Sequence, residues 1–294
     1  MITAEIDNKV KRVVSNIRNL PTPPIVFHQI QKVINDPDVS AVKVASILSE
    51  DPAMSAKVLR LTNSAFYGLA KEIESVRQAV VIIGFEAVKN LVLSASVLDM
   101  FKGKNLDEEY QEKYWRHSLS TAFACRLLAR RIRSRGIVDP DAAFSTGLLH
   151  DVGKMVICCY LPEEHKQLMA ERSRDQESSD CTIEERLFGY DHTHIGAFLG
   201  EQWKIPHKLI QGIQFHHSPQ DGEETDPIAY IVCLADYVAK KAFYDEEEQH
   251  LVGDLNEAVA GYLDVTEDDI VSFGEDLKEE YNKAETFMQI AGIS

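Results

Sequence analysis

Between residues 115 and 240 the chain carries five histidines and two aspartates whose types and spacing suit a transition-metal site. His117 opens WRHSLSTAFACRLLARR, His150 and Asp151 sit together in GLLHDVGK, and His192 lies in YDHTHIGAFLG. His216 and His217 close GIQFHHSP, and Asp236 lies in VCLADYVAK. Imidazole and carboxylate ligands suit divalent Zn, Mn, Fe or Ni, and a carboxylate beside a histidine can bridge two ions. Asp151 is the natural bridge, because it can use both oxygens. Each piece is weak alone, since an HD dipeptide is common and a His pair more often just ends a helix. LLHD is harder to dismiss, because burying both side chains is costly unless something pairs them. Asp236, flanked by Ile231, Val232, Leu234 and Val238, raises the same problem.

Helices must position these groups. Nearly every segment shows helical periodicity and none alternates convincingly as strands do, so the fold class is all-α. The stiff lead-in Leu20 to Pro24 precedes short helices. Asp51-Pro52 starts one, with Asp as N-cap and Pro at the first helical position. Its stripe of Met54, Val58, Leu61 and Ala65 ends near Gly68. Ser75 starts another, Gly84 breaks it, and Val88, Leu91, Val92 and Ala95 continue on a new axis. This helix–Gly–helix pair is too apolar to lie in a DNA groove and reads as core packing. The polar break Phe101 to Asn105 is the best boundary. Longer helices are expected over about 110–134, 140–160, 183–203, 206–217 and 227–243. The division is therefore a bundle of short helices at 1–105 packed on a helical core at 106–243, with an acidic helical extension at 244–294 that reads as a solvated appendage.

Composition narrows the function. The 294 residues are 45% hydrophobic and 27% charged, which excludes a largely disordered chain. Net charge is −16, of which residues 245–294 supply −13, with 2 Lys against 15 Asp and Glu. Such an acidic stretch opposes a phosphate backbone, so nucleic acid is not an expected partner. The stretch Ala79 to Met100 is interrupted by Glu86, Lys89 and Asn90, so no membrane span is expected. MITAEIDNKVKRV has no apolar h-region, which points to a cytoplasmic chain. The five cysteines, without a CxxC, read as buried thiols.

The order His … His-Asp … Asp in a helical chain resembles the HD superfamily of metal-dependent phosphohydrolases. That resemblance implies His117, His150, Asp151 and Asp236 as ligands of one ion. The other histidines resemble the two-metal version in HD-GYP proteins, where a second ion shares the bridging Asp. It implies His192, from an HxxIG motif, with His216 and His217 from an HH pair. His194 falls two positions further on, about 200° around a helix, and should not share the site. HD-GYP proteins continue HHExxDGxGYP, whereas this chain reads HHSPQDGEETD from His216 to Asp226. Ser218 stands in place of Glu and GYP is absent, which argues against cyclic-di-GMP hydrolysis.

The N-terminal half, LPTPPIVFHQIQKVINDPDVSAVKVASILSEDPAMSAKVLRLTNSAFYG followed by SVRQAVVIIGFEAVKNLVL, resembles the HDOD (HD-related output domain) family. The resemblance covers roughly residues 15–220. It implies a bacterial regulatory module with protein partners in a signalling pathway, in a family whose HD ligands are frequently lost; here the full set is kept. Two functions follow as expectations. One is a signal-transduction output module carrying a site for one or two divalent ions (Fe, Mn, Ni or Zn). The other is a phosphohydrolase acting on a nucleotide or other phosphorylated small molecule, with Asp151 and Lys154 as catalytic residues. Lys154 occupies the position of the family's HDxGK lysine, which implies phosphate stabilisation; the alternative is a surface lysine in a C-terminal turn. Family behaviour favours the output module. Asp51, Asn63 and Ser64 are read as a helix cap and as support for the Phe66–Gly68 turn.

Overall fold

The computed structural model describes residues 4–17, 20, 22–102, 107–132, 138–221, 227–246 and 249–292. The regular structure among the described residues is helical, with no strand. Pro21, the break at 103–106, the expected helix end at 133–134 and Gly222 lie outside the described residues.

The chain opens with α1 (Ala4–Ser15) and continues through α2 (Ile25–Ile34), α3 (Ala41–Ser49), α4 (Pro52–Thr62), α5 (Val76–Ile83) and α6 (Phe85–Met100). Local chemistry sets several starts. Ser40, Asp51 and Ser75 are N-caps, accepting from the backbone N–H of Lys43, Met54 and Gln78. Gly84, at φ +90°, lets the chain turn by 119° between α5 and α6. The second of these helices is buried from Ala87 to Leu98, Lys89 and Asn90 included, so it is a core helix. No single described helix is long and apolar enough to cross a membrane; α5 and α6 pass that test only together, across their bend.

There follow α7 (Glu108–Arg131), α8 (Pro140–Leu149), α9 (Val152–Tyr160), α10 (Pro162–Arg172), α11 (Asp180–Phe188), α12 (His192–Gln202), α13 (His207–Phe215) and α14 (Pro227–Phe243). The single helices expected over 140–160 and 183–203 are each two. One breaks at His150-Asp151. The other breaks at Gly189 to Asp191, where Gly189 takes the left-handed conformation at φ +70°. Helical periodicity continues through both breaks, so it does not reveal them. The helix α10, over 162–172, was not among the expected elements.

The chain ends with α15 (Glu257–Leu263), α16 (Glu267–Tyr281) and α17 (Glu285–Ala291). This acidic stretch is helical but is not a solvated appendage. It buries Val259, Leu263, Ile270, Phe273, Leu277, Phe287 and Ile290, with α15 packed on α14 and α17 on α4 and α6. Two compact units result. Residues Met1–Leu20 and Gly103–Lys278 form one, and Pro21–Lys102 with Glu279–Ser294 form the other. All five cysteines are free, but only Cys125 is buried; Cys158, Cys159, Cys181 and Cys233 are partly exposed.

In the second unit Asp51 caps α4, and Ser64 accepts from Phe66 N–H at 3.3 Å within the turn. Asn63 does something else. Its side chain pairs with both backbone groups of Ile73, at 2.7 and 2.9 Å, and so ties the end of α4 to the segment that leads into α5.

Candidate metal centre

The ligand-type residues named in the sequence converge within the first unit. Three helix junctions do most of the work. His150 ends α8 and Asp151 begins α9, so the break itself turns both side chains inward. Gly153 permits this: a Cβ there would lie 1.9 Å from the carbonyl oxygen of His192, so α9 and α12 touch at their first turns. His192 opens α12 behind the N-cap Asp191, and His216 and His217 follow the last residue of α13. His117 comes from α7 and Asp236 from α14.

The two oxygens of Asp151 face different partners. Oδ2 lies 3.4 Å from His150 Nε2 and 3.6 Å from His117 Nε2. Oδ1 lies 3.1 Å from His192 Nε2 and 3.7 Å from His216 Nε2. Asp236 Oδ1 completes the first set, 3.0 Å from His117 Nε2 and 3.8 Å from His150 Nε2. His217 Nε2 joins the second, 3.3 Å from His192 Nε2. Two ligands each about 2.1 Å from a tetrahedral ion stand about 3.4 Å apart, so these separations match a coordination shell.

The donor set fits a metal on a second ground. His150 Nδ1 donates to Gly147 O at 2.6 Å and His216 Nδ1 donates to Ile213 O at 2.7 Å. Those bonds hold each ring so that Nε2 carries the lone pair and faces the cluster. His150 Nε2, His216 Nε2, Asp151 Oδ1 and Asp236 Oδ1 are buried and make no aligned hydrogen bond, nor does either nitrogen of His117. Orphaned buried acceptors are costly in a protein interior. Cations satisfy them. A candidate His/Asp cluster of this kind supports a divalent metal.

Burial pushes His117 down and His216 down to about 4, which favours the neutral, ligating form. Burial would raise Asp151 and Asp236, but neighbouring lysine and histidine side chains outweigh it and hold both carboxyls well below the usual range. For Asp151 these are His150 and Lys154, and for Asp236 they are chiefly Lys240 and His117. Lys154 is not a free surface lysine. Its ammonium donates to Asp151 Oδ2 at 3.0 Å and pairs with Asp180 Oδ2 at 3.2 Å.

His194 stands apart. Its Nδ1 lies 2.6 Å from Asp191 Oδ1, and it completes the capping box of α12. Several residues of the site were not singled out from sequence. Lys240 donates to Asp236 Oδ2 at 2.6 Å, Arg172 pairs with Asp180 at 3.2 Å, and Glu184 contacts His192. Only Lys240 left a local trace, its i,i+4 spacing from Asp236.

Comparison with known proteins finds similar chains. The model of the HDOD domain family matches residues 20–219, which include every candidate ligand except Asp236. A solved structure from Shewanella amazonensis SB2B, named as a candidate phosphohydrolase, is 25% identical; the match covers 99% of both chains with a TM-score of 0.74. An HDOD domain protein of unknown function from Geobacter sulfurreducens shares the fold at 24% identity and a TM-score of 0.68, over 94% of this chain and 98% of its own. An uncharacterized protein of Treponema pallidum (strain Nichols) is 27% identical over 80% of this chain, which corresponds to 44% of that protein. The chain thus spans less than half the length of the curated relatives it matches.

Proposed function

The chain belongs to the HDOD domain family, and from that premise we propose that its His/Asp cluster is a binuclear divalent-metal centre that hydrolyses a phosphoester. The observation that carries this reading is the placement of Asp151, whose Oδ2 faces His117 and His150 while Oδ1 faces His192 and His216. His117, His150, Asp151 and Asp236 would hold one ion. Asp151, His192, His216 and His217 would hold the other. Divalent ions supply Lewis acidity toward phosphoryl oxygens and toward water. The chain's own part is to hold the ligands and to meet the charge of the substrate. Lys240 anchors the outer oxygen of Asp236, and Lys154 sits beside Asp151 as the ammonium for a phosphoryl oxygen. The similarity to the Shewanella amazonensis structure supports this class of chemistry.

The test is metal analysis of the purified protein, then a phosphoesterase screen on nucleotides and small phosphoesters with added Mn or Fe. Up to two equivalents and a metal-dependent activity lost on Asp151→Asn are expected. A protein that takes up no metal after reconstitution overturns the reading.

A second reading is favoured by a separate observation. Ile25, Val42, Val81 and Ile82 are large apolar residues left exposed, by 49% or more, on α2, α3 and α5 of the other unit. As an output module, the chain would use these exposed side chains to bind a protein partner in a signalling pathway. Signalling in the native host that survives Asp151→Asn but not Val81→Glu selects this role.

A further inference from the structure

Glu184 is the least explicable charge in the molecule until its neighbours are considered. Its side chain is fully buried on α11, and no lysine or arginine pairs with it by direct contact among the described residues. Oε2 accepts twice from one residue, from the backbone N–H of His192 at 2.8 Å and from its ring Nδ1 at 2.7 Å. Oε1 is buried without a hydrogen-bond partner. The remaining ring nitrogen of His192 is thereby aimed at Asp151 Oδ1, 3.1 Å away. Cys181, one turn earlier on α11, places its Sγ 4.0 Å from the same Nδ1 edge, too far to replace the carboxylate.

The other inward-facing rings are held differently. His150 and His216 donate Nδ1–H to backbone carbonyls, and His117 Nδ1 has no hydrogen-bond partner. His192 is therefore the one among these four whose back edge rests on an anion. A carboxylate behind a ligating imidazole fixes ring orientation and raises the basicity of the outward nitrogen.

From this we infer that Glu184 is a positioning residue for His192, and that it tunes only the half of the centre built from Asp151, His192, His216 and His217. The inference rests on the binuclear reading above for its metal consequence, but the Glu184–His192 contact stands without it. Glu184 is not a metal ligand in this account, because His192 Nδ1 donates its proton to Oε2 and so has no lone pair for an ion held between the two side chains. The half built from His117, His150 and Asp236 makes no contact with Glu184 and keeps its affinity when Glu184 is changed.

Two measurements on the full chain test this. In the metal-free protein, proton NMR with His192→Gln as the assignment control should show a slowly exchanging His192 Nδ1–H that is lost in Glu184→Ala and retained in Glu184→Gln. Its absence from the native protein overturns the positioning role whether or not metal binds. Equilibrium dialysis with Mn²⁺ then reads both halves. Native protein should bind two equivalents. Glu184→Gln, which keeps the acceptor but not the charge, should weaken one of them by about 10-fold and leave the other unchanged, and Glu184→Ala by about 100-fold. Equal weakening of both equivalents, or of neither, overturns the inference. So does a third equivalent lost with Glu184, which would make Cys181, Glu184 and His192 a ligand set. A native protein that shows the protected Nδ1–H but binds no Mn²⁺ refutes the binuclear reading and the tuning, and leaves the contact itself established.

Discussion

Asp151→Asn keeps the shape of the side chain and removes the one charge shared by both imidazole sets. Without metal, that carboxylate lies 3.0 Å from Lys154 Nζ, 3.1 Å from His192, 3.4 Å from His150, 3.6 Å from His117 and 3.7 Å from His216. Its side chain is 3% exposed, so water cannot take over the charge. Removing one partner of a buried ion pair costs about 3–5 kcal/mol. Lys154 retains Asp180 at 3.2 Å, which places the cost near the low end, about 3 kcal/mol. At about 2–4 °C per kcal/mol for chains of this order, the melting temperature in chelator should fall by about 6–12 °C. Calorimetric melts of native and variant protein measure it. Repeating them with Mn²⁺ at about 100 times its Kd should stabilise the native chain by about 2.7 kcal/mol for each ion bound and the variant hardly at all. An unchanged melting temperature in chelator, together with a full metal-induced rise in the variant, would refute the bridging placement of Asp151.

Gly153→Ala touches no ligand, yet its Cβ would meet His192 O at 1.9 Å and must push α9 away from α12. A loss of about 1–3 kcal/mol or more is expected in denaturant melts, with weakened metal uptake; native-like uptake would show that the two helix starts are not coupled. The pH dependence of the metal-free protein follows from buried His216. Burial depresses its folded pKa to about 4, below the unfolded value of about 6.5, so the unfolded chain binds more protons between them. Its contribution is full above pH about 6.5 and is lost as pH falls toward 4, which amounts to about 3 kcal/mol. Lowered Asp151 and Asp236 add a further loss as pH falls below about 4. His192 has the opposite sign: Glu184 raises its pKa against burial, and its contribution is lost as pH rises above about 6.5. Urea midpoints should therefore peak near neutrality, and His216→Gln should flatten the acid side; an acid limb unchanged by that substitution would refute the assignment.

Helical periodicity, N-caps at Asp51 and Ser75, and the glycine turn at Gly84 are local properties, which is why the all-α class and those helix starts were legible in the chain alone. The ligand-type residues were legible for a related reason. Histidines and aspartates stand out in apolar helical stretches, and their order along the chain carries the family resemblance. The chain alone could not show how Asp151 divides its oxygens, because that depends on where α7, α12, α13 and α14 arrive around the break between α8 and α9. It also left the supporting charges invisible. Glu184 and Glu185 are adjacent and identical in type, yet Glu184 is buried behind His192 and Glu185 is exposed. Asn63 likewise looked like turn support and instead binds Ile73, ten residues on. Helical phase tells which residues share a face, but the approach of a second helix decides which of those faces meets a histidine and which meets water.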